Sequence, residues 1–424
     1  MIPPASTPTT LDRARRTALL AVMATMPFVQ EALPALLVVL VLLLLPWGVG
    51  VARLRSAQEP RPALHWRGPL PWLSLWYLLH AVGLAWTTDM HHGLFALEVR
   101  LMALLLPLVM LVSPAFWRDH AGAALRTFAH ATGVALLFLM LRATWLFIAE
   151  LRLRATGDHP DGLPYTNIFF STYFSPWIHP SYVALFAVFA LAVLAFRTHG
   201  GSLWQRWVLP AALLLGLLLT ASKSGWIALV LLGMVLLRAK GHDAAWRKRL
   251  LIAAAGTAVV FGLLVASFGT VRGKITETWA ALRSTDASAH DSSGARVLVW
   301  RAAMTLVVEH PLTGVGTGDA ERELTRIYAE RGYSYPLEQR LNAHSQFLQS
   351  AVQLGLPAAL LLLLALLVPL PGAWRRSDHL AVFFLLVVLL NAAVESILEV
   401  QPGVMFVVLM SALLFPLTTT RPPA

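Results

Sequence analysis

Apolar residues do not alternate with polar ones along this chain; they gather into long runs separated by short polar breaks. A helix rising 1.5 Å per residue needs about 20 mainly apolar residues to cross a hydrocarbon core about 30 Å thick. Twelve runs fit that demand, at 15–30, 33–52, 69–86, 92–113, 120–149, 179–197, 206–220, 224–238, 248–269, 345–370, 377–395 and 402–417. The expected fold is therefore all-α, a polytopic membrane protein with about twelve transmembrane helices. Pro27 and Gln30 interrupt the first run, and no small-residue cleavage site closes it, so it is expected to remain as a span. The runs 206–220 and 224–238 are short enough to be read equally as a re-entrant pair.

Two longer polar stretches, 150–178 and 270–344, are left within a single membrane domain covering 1–424. Long connections of this kind usually carry function. The larger has helical signals of its own. Ser292 and Ser293 can cap a segment in which Arg296, Trp300, Ala303 and Val307 share one face, and this helix is expected to lie on the membrane surface. A second helix is expected from Asp319 to about Arg331, after the turn Gly314-Val315-Gly316-Thr317-Gly318, with Asp319 favoured at its start by the helix dipole.

Composition agrees with lipid as solvent: 57% of residues are hydrophobic and 13% charged, with a mean hydropathy of +0.66. The absence of cysteine excludes disulfides, thiolate nucleophiles and cysteine-bound metals. A formal charge of +11 would suggest nucleic acid for a soluble chain, but here the basic residues lie between apolar runs, so the bilayer is the expected partner and nucleic acid is not. With the N-terminus inside, alternate connections carry Arg53, Arg55, Arg61 and Arg67, then Arg118, then Arg197 and Arg206, then Arg238 to Arg249, then Arg375 and Arg376. Basic loops stay in the cytoplasm, so both termini are expected there and 150–178 and 270–344 on the far side.

Some basic residues escape that rule. Arg100 and Arg142 fall inside runs near the outer side, where a charge must face protein or water or else snorkel to the interface. Ser222 and Lys223 sit in the outer turn Ala221-Ser222-Lys223-Ser224-Gly225, and Arg296 stands among apolar residues, where a guanidinium needs an anionic partner. His344 lies where the tenth run begins; a helix N-terminus disfavours added positive charge, so this ring can serve as a general base or as a plain polar anchor. His179, at the start of the sixth run, has the same two readings. Glu395 and Glu399 stand one turn apart and can hold an arginine or a sugar hydroxyl. No Asp-x-Asp pair occurs and no histidine–carboxylate spacing suits a metal, so arginines must supply the charge for any bound diphosphate.

The residues Gly294-Ala295-Arg296 with Trp300, His310-Pro311-Leu312-Thr313-Gly314-Val315-Gly316, Ala343-His344 with Phe347-Leu348-Gln349, and Gly355-Leu356-Pro357 together resemble the O-antigen ligases, within the superfamily that also holds the O-antigen polymerases. His179-Pro180-Ser181-Tyr182 resembles a recurrent element of that family. Lys223-Ser224 stands where the family has Arg-Gly, and Ser345 where it has Asn. The resemblance implies a GT-C-like fold in the bacterial inner membrane, and transfer of a preassembled glycan from undecaprenyl diphosphate to a sugar hydroxyl of lipid A-core at the periplasmic face. It further implies a metal-independent, inverting displacement without cofactor. His344 would be the base; Arg296, Lys223, Arg142 and Arg100 would hold the diphosphate, and Ser222, His179 and Tyr182 would line the substrate site. The alternatives are a polymerase using the same donor and, from another class, a transporter of lipid-linked glycan.

Overall fold

The computed structural model describes residues 9–45, 61–63, 65–156, 167–197, 202–283 and 292–420. The end of the 33–52 run, at 46–52, and parts of the 150–178 and 270–344 stretches, at 157–166 and 284–291, lie outside the described residues, as do Arg53 and Arg55.

Every apolar run is largely helical where it is described, the first ending early, at Thr25, before the interruption at Pro27. Among the described residues five helices are long and apolar enough to cross a membrane: Met90–Val112, Pro114–Leu153, Pro180–Arg197, Ala244–Ser267 and Gln346–Arg375. Leu33–Leu44, Trp204–Leu219, His379–Val394 and Gln401–Leu414 are shorter apolar helices. The chain is thus an all-helical membrane protein, with one short antiparallel pairing of Arg61–Ala63 with Thr418–Thr420 beside the helices.

Two cores organise it. The larger joins the apolar helices, with Phe128, Phe186, Phe189, Phe384 and Phe406 interlocked at its centre. The smaller lies in the polar stretch, where Leu298, Val299, Ala302, Ala303 and Leu306 of the helix Ser292–Glu309 meet Leu324, Ile327 and Tyr328 of the helix Ala320–Glu330. Ala351 and Val352 of the helix Gln346–Leu367 complete it, so residues 292–344 form a packed helical cap. The Ala244–Ser267 helix contributes no buried residue to either core.

The cap is docked by a break in the helix beneath it. At Leu354 and Gly355 the Gln346–Leu367 helix leaves helical geometry, and Gly355 takes φ +75°, a left-handed conformation that glycine adopts without a Cβ clash. Pro357 removes a further helix donor. The carbonyls of Val352 and Gln353 released there accept hydrogen bonds from Val315 (2.9 Å) and Gly316 (2.9 Å), and Leu356 N–H bonds Pro311 O (2.8 Å). The fit is close on both sides. A Cβ on Gly314 (φ +64°) would lie 2.4 Å from the backbone of Gln353, and one on Gly355 2.4 Å from that of Leu312. Asp319, expected to favour its own helix start, makes no side-chain cap there. Its buried carboxylate instead accepts from Thr88 N (2.7 Å), Thr88 Oγ (2.9 Å) and Asp89 N (2.9 Å), tying the cap to the turn before Met90.

Candidate functional site

The helix His379–Val394 ends at Glu395, and Glu395 to Val400 run non-helically before the helix Gln401–Leu414. This bend faces the start of the Gln346–Leu367 helix, whose N-cap is Ser345, and the first turns of Ser292–Glu309. Three elements distant in sequence therefore converge on one carboxylate.

Glu395 is 7% exposed. Its Oε1 accepts from Arg296 Nη2 (2.5 Å) and from Ser181 Oγ (3.2 Å), and its Oε2 stands 3.4 Å from His344 Nδ1. Arg296 Nε adds a bond to Val394 O (3.2 Å). With Oε2 facing Nδ1, the tautomer that points Nδ1–H at the carboxylate leaves His344 Nε2 as an acceptor.

His344 is held in an uncommon backbone geometry, φ +43°. Non-glycine residues are seldom found there. Its N–H bonds Asn342 Oδ1 (2.9 Å), which also accepts from Ser396 Oγ (3.2 Å), and its carbonyl accepts from Trp300 Nε1 (3.4 Å). The imidazole itself remains part-exposed, at 26%.

Lys223 opens the helix Lys223–Lys240, behind the cap Ser222, whose Oγ accepts from Gly225 N (3.3 Å). Lys223 Nζ donates to Ser293 Oγ (2.5 Å) and stands 3.6 Å from Glu277. Ser293 precedes Arg296 by three residues, so Lys223, Arg296 and the N-terminal turn of Ser292–Glu309 present positive charge together. His179 sits at the rim within electrostatic range of Glu395, His344 and Arg296; Tyr182, one turn deeper, is within range of Glu395 and Glu399.

Two expected diphosphate ligands lie apart from this cluster. Arg142 donates to Tyr173 O (3.0 Å) and covers the Trp177 ring at 5.2 Å, at the edge formed by the 167–179 stretch. Arg100 is 1% exposed, ion-paired with Glu399 and lying 5.4 Å from the Trp76 ring. Gln346 and Gln353 also reach Glu399, at 3.0 and 3.1 Å. These glutamines were missed in the sequence, although Gln346, Gln349, Ser350 and Gln353 follow i, i+3, i+4, i+7 spacing: a polar stripe on an apolar helix, and all four are buried. Among the described residues no group of His, Asp and Glu is arranged to hold a metal.

The arrangement can take a proton at His344 Nε2 beside a cationic patch able to stabilise a leaving anion. Residues 208–363 match a family model described as O-Antigen ligase; the match includes Lys223, Arg296, His344 and the glycine turn. No curated protein matches the chain.

Proposed function

We propose, from the match of residues 208–363 to the O-antigen ligase family model, that this chain transfers a preassembled glycan from undecaprenyl diphosphate to a sugar hydroxyl of lipid A-core, as an inverting, metal-independent glycosyltransferase. The single observation that carries the reading is the His344–Glu395–Arg296 array, a base and a cation braced on one carboxylate.

In this reading the apolar helices are twelve spans in a GT-C-like arrangement in the inner membrane, with both termini cytoplasmic and the cap in the periplasm. The acceptor hydroxyl attacks the anomeric carbon of the donor sugar and gives its proton to His344 Nε2. The carbon–oxygen bond to the diphosphate breaks as the new bond forms, and its electron pair leaves on the diphosphate. Arg296, Lys223 and the N-terminal turn of Ser292–Glu309 stabilise that charge. Ser222 sets the turn that aims Lys223; His179 and Tyr182 line the sugar side, and Arg142 lies at the rim where the lipid diphosphate enters. An open groove of about 650 Å³ beside Trp300, lined by Val297, Arg301, Met304 and Val308, offers the acceptor an apolar approach.

The test is transfer by purified protein, with EDTA present, from undecaprenyl-diphosphate-linked glycan to lipid A-core. Glycosylated lipid A-core made by wild type and not by His344→Ala supports the reading. Lengthened donor without acceptor product would make the protein a polymerase instead, and movement of the donor across the bilayer with neither product would make it a transporter.

A further inference from the structure

The stretch that carries Glu395 has no helix to hold its shape, so something else must fix where the carboxylate points. Glu399, four residues on, is held by three side chains from two helices: Arg100 of Met90–Arg100, and Gln346 and Gln353 of Gln346–Leu367. Gln346 grips the stretch at both ends. Its N–H donates to Glu395 O (3.1 Å), and its Oε1 accepts from Leu398 N (2.6 Å) while Nε2 binds Glu399. From the far side, the following helix leaves no slack: a Cβ on Gly403 would stand 1.7 Å from Ile397 O.

Arg100 has no open face for a lipid diphosphate. It is 1% exposed, its charge is met by Glu399, and Nη2 lies 3.4 Å from Gln353 Oε1. A buried ion pair adds little stability over apolar residues of the same size, because both charges must be desolvated. What it does supply is a fixed direction.

We propose that Arg100 and Glu399 are a buried positioning pair: by anchoring the far end of the 395–400 stretch they set Glu395, and through it His344 and Arg296, in the geometry for transfer. This rests on the glycan-transfer reading above. A displacement of about 1 Å at a reacting centre can lower a rate by about 100-fold, and the anchor lies one residue short of the next helix, so little else in the stretch can compensate.

The experiment uses the purified full-length chain and its transfer reaction, reading kcat and the KM for lipid-linked donor. The double variant Arg100→Gln/Glu399→Gln removes both charges and avoids a lone buried ion. Its kcat should fall about 100-fold with the donor KM unchanged, and Arg100→Lys, which keeps the charge, should retain most of the wild-type kcat. A double variant that transfers at the wild-type rate overturns the proposal, and so does one whose donor KM rises with the loss of kcat, since Arg100 would then be touching the diphosphate. If the double variant does not insert, Glu399→Gln decides by the same two readings. His344→Ala, run alongside, separates the two levels: wild-type transfer by that variant, or no transfer by wild type, removes the glycan-transfer reading itself.

Discussion

Arg296 Nη2 and Glu395 Oε1 meet at 2.5 Å across 99 residues of sequence. The pair joins the cap helix Ser292–Glu309 to the end of the helix His379–Val394. Its Nε reaches Val394 O and its Nη2 the carboxylate, so one guanidinium braces the group that faces the His344 ring. Four outcomes follow from the site and the cap docked over it.

His344→Ala should lower transfer by about 10²- to 10⁴-fold, the usual range for removing a general base. Binding of lipid-linked donor, measured on the purified variant, should be unchanged, because the cationic patch is intact.

Glu395→Gln should also be nearly inactive, by about 100-fold, while keeping its size. The amide cannot hold the His344 ring by charge, and it leaves Arg296 without its closest anion. Unlike His344→Ala it should alter donor affinity as well, which equilibrium binding would detect.

Arg296→Lys should bind donor about tenfold more weakly, the loss of roughly one charge-assisted hydrogen bond. Lysine keeps the charge but not the planar fork that reaches Glu395 and Val394 together. Wild-type affinity in this variant would remove Arg296 from the donor site.

Two glycines with nearly equal left-handed geometry allow the docking turn to be weighed. Gly332→Ala (φ +66°) meets nothing within 4 Å and should lose only the backbone preference, about 1–2 kcal/mol. Gly314→Ala (φ +64°) meets the Gln353 backbone at 2.4 Å and should lose clearly more. Equal loss of thermal stability in the two would mean that the cap does not depend on this close approach.

Much of this architecture could be read from the chain. Apolar run length foretold a helix in each run, though not its bounds, and the shared face of Arg296, Trp300, Ala303 and Val307 foretold the cap helix, whose Ala303 is fully buried and Val307 6% exposed. Periodicity was blind to breaks inside apolar runs: Leu101 divides 92–113, and Leu354-Gly355 divides 345–370. Residue type was a fair guide at the site but distance was not. Glu395 and Glu399 could be singled out as partners for arginine, yet which arginine each would meet depends on contacts 99 and 299 residues apart, and local patterning carries no signal at that range. Asp319 does stand at its helix start, but that its donors come from Thr88 and Asp89 was out of reach for the same reason.

The Ala244–Ser267 helix has no fully buried side chain, but one side of it leans on the larger core through Leu250, Phe261, Leu264 and Val265, with Phe261 edge-on to Trp226. On its remaining faces selection can act on length and oiliness but hardly on which apolar residue stands where. Those faces are accordingly where a reporter side chain can be placed without disturbing the site.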